Sequence, residues 1–504
     1  MFRKTLTLAA VLFPLLFIAA RTDANGGLKI EVRLADGFKA DVKNGRVLVV
    51  LGQNRGEPRT SIGRTGLKTP PVLGTDAHAS ADDRLIATLD EQCEIFPIES
   101  LAKLKPGSYH AQAVVHLNQD LNFTNAPGDL YGPAKDVKID PAAGGVIKLE
   151  VNAREPEEEL PKDTSAVKFL KLPSKLLSEF HGRPMFLRAA VLLPADFESS
   201  PDKKYPLRVH IGGYGERYIS IMELMAKRPT QGPHFISLML DGAGPLGDPY
   251  QVNSHNHGPY GDAITKELIP YVEEKFRGLG SPSARFMDGH STGGWVSFAL
   301  QVFYPDFFNG CWSFCPDPVD FRAYELMNIY KDDNAYVNSA GFERPAKRKI
   351  NGETVYTVRH ECQIENVLGL GNRWVLSGKD WGAWNATYGP RGDDGRPKPL
   401  WDGKTGAIDR SVVEHWKKYD LRLVLEENWK DLGPKLKGKL HIYSGDCDDY
   451  FLNNAVRLLD KFLKDADPPA EATITFGEYQ GHGFHPLSEK KTLEAMWAAY
   501  EKKK

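Results

Sequence analysis

The segment Phe286–Gly294, with the sequence FMDGHSTGG, constrains the fold more than any other part of the chain. A short strand over Arg285–Asp288 meets a Gly-x-Ser-x-Gly motif, and helical spacing follows over Gly294–Tyr304. A serine on such a strand-to-helix turn is strained, and side chains two positions to either side would collide with it. The pattern predicts that Ser291 is a nucleophile; the alternative is a tight turn whose serine caps the helix.

The arrangement of strand-like and helix-like patterns predicts two domains. From residue 166 to residue 504 the two patterns alternate, which predicts an α/β-hydrolase domain with a mostly parallel sheet and helices on both faces. An irregular, aromatic-rich stretch at about 318–435 is interpreted as an insertion over the active edge of that sheet. Short strands over 27–152 predict an all-β, sandwich-like domain, and the acidic, proline-containing segment 153–165 predicts a linker.

The N-terminus has the pattern of an export signal. Arg3 and Lys4 precede an apolar run over Leu6–Ala20, and small residues follow. This run is short for a membrane-spanning helix, so we predict a signal peptide over 1–24, with an uncleaved anchor as the alternative. The protein is then expected in the periplasm or outside the cell, with no membrane association after cleavage.

Composition excludes other classes of protein. Among 504 residues, 64 Lys and Arg balance 66 Asp and Glu, so the sequence shows no general footprint for nucleic acid. The 5 cysteines are scattered and odd in number, which does not indicate a disulfide framework.

A glycine cluster upstream of the nucleophile predicts half of an oxyanion hole. His210–Gly215 has the sequence HIGGYG and closes an apolar strand. In serine hydrolases of this layout, one backbone N–H of such a loop and the N–H after the nucleophile bind the oxyanion. We therefore predict Tyr214 or Gly213 as the first donor and Thr292 as the second, the alternative being a glycine-rich turn without chemistry.

The general base and its carboxylate are expected after two later strands, in the order serine, acid, histidine. The strand Leu440–Ser444 runs into GDCDD, where Asp448 is favoured as the acid over Asp449 and Asp446. The strand Thr473–Phe476 leads to GHGFH. His482, between two glycines, is favoured as the base over His485.

Metal and cofactor patterns are weak. His255 and His257, and likewise His360 and Cys362, have ligand-like spacing, but such residues more often have other roles, and we predict no metal and no cofactor. Three tryptophans of the insertion could stack on a sugar or an aromatic acyl group, or could pack the insertion onto the sheet: Trp374, Trp381 and Trp384.

Together these segments resemble the esterase family of α/β hydrolases that includes feruloyl and acetyl xylan esterases, S-formylglutathione hydrolases, enterochelin esterases and mycolyltransferases. The resemblance rests on GHSTGGW, HIGGYG, GDCDDYFLNNA and GHGFH, and on the stretch from Asp241 to Arg277. It implies Ser291, Asp448 and His482 as a catalytic triad and a carboxylic ester hydrolase as the function. It also implies a small-molecule or glycan-linked ester substrate, such as feruloyl or acetyl esters of polysaccharide. A serine peptidase, an acyltransferase and a non-catalytic carbohydrate-binding protein are the alternatives.

Overall fold

The computed structural model describes residues 27–53, 56–78, 84–229 and 231–504. The predicted signal peptide over 1–24 lies outside the described residues. Within the described part of the chain, no helix has the length and apolar character needed to cross a bilayer.

The N-terminal part of the chain consists of short strands in two sheets. One sheet has the order β4-β1-β9, and the other has the order β10-β7-β6-β2-β3-β5, with β8 paired to β6. Apolar side chains of both sheets, such as Ile30 of β1 and Val49 of β2, share one buried core. The strands are β1 (Leu28–Leu34), β2 (Arg46–Gly52), β3 (Val72–Asp76), β4 (Leu85–Leu89), β5 (Glu94–Phe96), β6 (Gly107–His116), β7 (Leu130–Tyr131), β8 (Lys135–Ile139), β9 (Gly145–Val151) and β10 (Ala153–Arg154).

The rest of the chain is built around one sheet of eight strands in the order β11-β12-β14-β13-β17-β18-β21-β22. The first two pairings are antiparallel, and the other five are parallel. The strands, with two small hairpins, are β11 (Val167–Ser174), β12 (Met185–Leu192), β13 (Leu207–Ile211), β14 (Ile236–Leu240), β15 (Asn253–Ser254), β16 (Gly258–Pro259), β17 (Arg285–His290), β18 (Cys311–Phe314), β19 (Pro345–Arg348), β20 (Thr354–Thr357), β21 (Leu440–Gly445) and β22 (Thr473–Gly477).

Helices cover both faces of this sheet. Because neighbouring strand residues point to opposite faces, Met287 packs in the core that includes Trp295 of α5, and Phe286 packs in the core that includes Met496 of α11. The helices are α1 (Lys175–His181), α2 (Ile221–Lys227), α3 (Tyr260–Ala263), α4 (Ile269–Lys275), α5 (Thr292–Phe303), α6 (Val358–Leu368), α7 (Asp380–Tyr388), α8 (Arg410–Trp416), α9 (Leu421–Leu436), α10 (Asn453–Asp465) and α11 (Glu489–Glu501). A π-helical turn, Ile264–Leu268, joins α3 to α4.

The segment between β18 and β21 holds the β19–β20 hairpin and helices α6 to α9, which is where the sequence predicts an insertion. Helix α6 lies against the N-terminal strands: Ile364 and Val367 pack with Leu48 and Val50 of β2. The guanidinium of Arg46 donates to the carbonyl oxygens of Val367 and Asn366 at 2.9 and 3.2 Å. The insertion is therefore held between the N-terminal β unit and the main sheet.

Candidate active site

Ser291 lies between β17 and α5 with a φ of 57°, in the left-handed region that costs energy for a residue with a side chain. The motif glycines have a direct steric reason. A Cβ on Gly289 would collide with the backbone of Gly293, and a Cβ on Gly293 would collide with the carbonyl of Ile211. The predicted turn therefore requires glycine at both positions.

The three residues predicted as a triad lie together. The hydroxyl of Ser291 is 3.0 Å from Nε2 of His482, and Nδ1 of His482 is 2.8 Å from Oδ2 of Asp448, whose side chain is fully buried. When the imidazole is neutral, the carboxylate selects the tautomer in which Nδ1–H donates to Asp448 and Nε2 accepts from the serine. This geometry allows a proton to pass from Ser291 to His482.

The other candidate residues have different partners. Asp449 accepts the backbone N–H of His482 at 2.7 Å, and Asp446 accepts the N–H of Tyr479 at 2.8 Å. His485 donates from Nδ1 to the carbonyl of Leu487 at 2.7 Å and stacks on Phe314. Both carboxylates therefore support the loop that carries the base, and His485 packs away from the serine.

The surroundings of His482 raise the pKa of its imidazole. Burial lowers its pKa, but the hydrogen bond and the charge of Asp448 raise it more, and Asp317 adds to the rise, so the pKa of His482 is above its ordinary value. The motif residue His290 behaves differently, because burial lowers its pKa to about 4. Its Nε2 donates to the carbonyl of His482 at 2.7 Å and so orients the base, a contact that sequence reasoning missed.

The oxyanion-hole prediction needs one correction. The backbone N–H of Gly213 donates to Oε2 of Glu216 at 3.0 Å, so Gly213 is not a free donor. Within the described residues, the backbone N–H groups of Tyr214 and Thr292 have no hydrogen-bond acceptor, and both residues line the cavity at Ser291. The structure therefore favours Tyr214 and Thr292 as the pair of donors.

Asp317 is a buried carboxylate beside the nucleophile that sequence reasoning missed. Its Oδ2 accepts from the hydroxyls of Tyr250 and Thr292 at 2.6 and 3.0 Å, and from the indole N–H of Trp384 at 3.1 Å. Its Oδ1 is 3.5 Å from the hydroxyl of Ser291, further away than His482. Three donors thus hold Asp317 in place, and its position after β18 in the sequence CPDP was the available signal.

Ser291 and His482 open into a cavity of about 180 Å³. The insertion supplies 6 of the 14 residues that line it, and Thr65 of the N-terminal unit also lines it. The lining residues from the insertion are Glu325, Tyr356, Glu361, Asp380, Trp381 and Trp384. Two of the three tryptophans singled out from sequence therefore face the site, whereas Trp374 stacks on Trp401 with ring centroids 4.5 Å apart.

The weak metal patterns do not converge on a site in the described residues. His257 is buried, whereas His255 contacts the ammonium of Lys418. His360 caps helix α6. The one grouping of potential ligands among the described residues is Cys315, Asp448 and His482, and its carboxylate and imidazole already form the triad.

Comparison with known proteins gives the family. Residues 248–485 match the family described as "Putative esterase". Over these residues the chain is similar to this esterase family. The match confirms the resemblance predicted from the sequence and the predicted class of enzyme, a carboxylic ester hydrolase. It begins after the loop at His210–Gly215 and includes the whole insertion, so this esterase carries its oxyanion-loop candidate outside the matched residues.

Solved structures resemble this esterase at low identity. A ferulic acid esterase is 16% identical, covers 66% of this chain and 95% of its own, and has a TM-score of 0.38. An S-formylglutathione hydrolase from Agrobacterium tumefaciens is 11% identical, with 68% and 98% covered and a TM-score of 0.37. A ferulic acid esterase from Anaeromyces mucronatus is 12% identical, with 68% and 92% covered and a TM-score of 0.30. Among curated proteins, none matches the sequence.

Proposed function

We propose that this protein is an exported serine esterase that cleaves its substrate through an acyl-enzyme intermediate. The observation that carries the proposal is the continuous hydrogen-bonded chain from Ser291 through His482 to Asp448, with Ser291 at the wall of a cavity. Export is proposed from the basic and apolar pattern of residues 1–24.

The reaction follows from the positions of these groups. His482 accepts the hydroxyl proton as Ser291 attacks the ester carbonyl, and Asp448 stabilises the imidazolium that forms. The N–H groups of Tyr214 and Thr292 receive the developing oxyanion. His482 then gives its proton to the leaving alcohol, and a water molecule activated by the same histidine releases the acid and regenerates the serine.

The substrate is proposed as a small-molecule or glycan-linked ester. Feruloyl or acetyl esters of polysaccharide are the first candidates, because the family resemblance implies them and because exported enzymes meet such substrates. The residues around Ser291 supply every group that this reaction needs, and we propose no role for a metal or an organic cofactor.

The test is a panel of p-nitrophenyl acyl esters and feruloylated sugars, run on the wild type and on Ser291→Ala. We expect the wild type to hydrolyse at least one ester, and Ser291→Ala to lose roughly a thousandfold or more of that activity. Full activity in Ser291→Ala would overturn the proposal. Peptide p-nitroanilides in the same panel distinguish a peptidase, and an added alcohol acceptor distinguishes an acyltransferase.

A further inference from the structure

The cavity at Ser291 is lined by carboxyl groups without matching cations. Asp317, Glu325, Glu361 and Asp380 all contribute to its wall. Among the described residues that line it there is no lysine, arginine, asparagine or glutamine. Its polar wall is therefore rich in acceptors.

Glu325 is the informative member of this set. Its side chain is only 3% exposed, it lines the cavity, and its Oε2 has no hydrogen-bond partner in the described structure. A buried carboxyl oxygen without a donor is costly, and proteins rarely keep one without a reason. The backbone of Glu325 is also left-handed, with a φ of 52°, as is that of Ser291. An unpartnered acceptor is thus held at the cavity at the expense of stability.

Two lysines lie beside the cavity, each against a tyrosine of its wall. Lys347 donates to the hydroxyl of Tyr450 at 2.8 Å, and the ammonium of Lys379 lies 5.9 Å from the ring centre of Tyr214. Neither lysine lines the cavity. Both lower the pKa of Glu361, yet burial and the charge of Asp380 raise it more, to about 8.

Glu325 experiences repulsion from several sides. Burial first, and then the charges of Glu361, Asp317, Asp380 and Asp448, raise the pKa of Glu325 well above its ordinary value. No lysine or arginine among the described lining residues offsets these carboxyl groups, and the raised pKa values of Glu325 and Glu361 disfavour their charged forms until a cation binds.

We propose that this cavity binds a cationic group of the ester substrate, an ammonium or a guanidinium carried by its acyl or its alcohol part. This inference rests on the proposed ester hydrolysis and names the substrate class for it. The cation donates to Glu325 and Glu361, and the aromatic rings of Tyr356, Trp381 and Tyr450 supply apolar walls that suit a cation.

An ester that carries a cationic group, on a small molecule or on a glycan, fits this wall better than an uncharged ester. Its N–H groups donate and do not accept, whereas uncharged hydroxyls do both. A donor-only cation matches the unpartnered oxygen of Glu325 and the neighbouring carboxyl of Glu361. Its binding returns these carboxyl groups to the charged form and releases protons to the solvent. Because the pKa of Glu361 is about 8, the advantage of a cationic substrate should grow as the pH rises towards and past that value.

The first experiment compares isosteric pairs of esters. On the alcohol side, the acetate ester of 6-aminohexanol is paired with the acetate ester of heptanol, in which a methyl group replaces the ammonium. On the acyl side, the p-nitrophenyl ester of an ω-amino acid is paired with that of a fatty acid of the same length. We expect the wild type to prefer the cationic member of at least one pair by roughly tenfold or more in kcat/KM.

Matched variants locate the effect. Glu325→Gln and Glu361→Gln should each lower the preference towards one while the uncharged ester is still hydrolysed. Glu414→Gln, which removes an exposed carboxylate on α8, should leave the preference unchanged. Equal rates for both members of both pairs in the wild type, or an unchanged preference in both cavity variants, would overturn the inference.

A binding measurement separates this inference from the proposed function. Methylammonium is titrated calorimetrically into Ser291→Ala at pH 7 in two buffers of different ionisation enthalpy. Binding with proton release, weakened by Glu325→Gln, supports the cation site even if no ester is hydrolysed. Hydrolysis of uncharged esters with no binding of methylammonium and no cationic preference overturns the inference and leaves the proposed function standing.

Discussion

Two groups of buried carboxylates meet at Ser291, and they differ in how they are satisfied. Behind the triad, Asp448 accepts from Nδ1 of His482 at 2.8 Å and from the N–H of Tyr450 at 2.9 Å. In the cavity wall, Glu325 is buried almost as deeply but has an oxygen with no partner. The hydrogen bonds of Asp448 are thus made within the protein, whereas Oε2 of Glu325 has no partner among the described residues.

The difference teaches which part of the site serves the reaction and which part serves recognition. Ser291, Asp448 and His482 lie in the loops that follow β17, β21 and β22. Because these strands run parallel in one sheet, the sheet fixes the distances between the three residues. Three of the four cavity carboxylates come from the insertion, which packs on the N-terminal unit through helix α6: Glu325, Glu361 and Asp380. We therefore propose that the insertion between β18 and β21 determines substrate choice.

The largest expected effect is the loss of kcat on replacing Asp448, the carboxylate whose hydrogen bonds are made within the protein. Asp448→Asn should lower kcat on an uncharged p-nitrophenyl ester by roughly a thousand- to ten-thousand-fold, because the amide no longer selects the productive tautomer of His482. Asp449→Asn is the matched control: its carboxylate accepts the backbone N–H of His482, and we expect less than about a tenfold loss. Equal losses in the two variants would contradict the assignment of the acid.

The second effect concerns a buried ion pair under the nucleophile turn. Arg208 donates to the two carboxylate oxygens of Asp288 at 2.7 and 2.6 Å. Asp288→Asn leaves that guanidinium without its main partner and should lower the free energy of unfolding at pH 7 by about 3–5 kcal/mol. Urea denaturation measures this, with the exposed Asp306→Asn as a control that changes little.

The pH dependence of this stability has a definite sign. Burial raises the pKa of Asp288, but the charge of Arg208 lowers it more, so the folded-state pKa is depressed. The stabilisation is therefore present above the unfolded pKa of about 3.9 and is lost as the pH falls below it. A difference between the wild type and Asp288→Asn that stays constant down to pH 2 would refute this account.

Replacing Glu325, the carboxyl without a partner, is expected to change the free energy of unfolding in the opposite direction. Glu325→Gln removes a group whose pKa is raised by burial, and it should increase the free energy of unfolding by about 1–3 kcal/mol at alkaline pH. Because the folded-state pKa exceeds the unfolded value of about 4.3, the wild type loses stability as the pH rises above that value, and the gain from the variant grows. A variant less stable than the wild type at pH 9 would argue that Glu325 has a hidden partner.

The smallest effect is the position of the acid limb of activity. His482 must be neutral to accept a proton, and its pKa is raised above the ordinary value of about 6.5. The kcat/KM on an uncharged ester should therefore fall about tenfold per pH unit on the acid side, with a midpoint above pH 6.5. In Asp448→Asn, the residual activity should show a lower midpoint, since the main cause of the rise is gone.

Ser291 and His482 could be predicted from the sequence because glycines lie close to each of them in the chain. Gly289 and Gly293 mark the turn of Ser291, and two glycines flank His482. The choice of Tyr214 over Gly213 was not predictable, because it depends on the reach of the Glu216 side chain into the same loop.

The cavity could not be predicted in the same way. Thr65 and Glu325 are distant in the chain but line the same cavity, because the insertion packs on the N-terminal unit through α6 and β2. The burial of Glu325 without a partner is a property of the folded surroundings, and the residue lies in a stretch without periodicity. The aromatic richness of the insertion was visible, but it did not distinguish Trp381, which lines the cavity, from Trp374, which stacks on Trp401.

The most direct test of the central claim is covalent trapping of the nucleophile. The protein is treated with a fluorophosphonate probe, digested, and the modified residue is located by mass spectrometry. We expect one label per chain, on Ser291, and labelling at least a thousandfold slower in His482→Ala. A label on another residue, or labelling of Ser291 that does not depend on His482, would contradict the account.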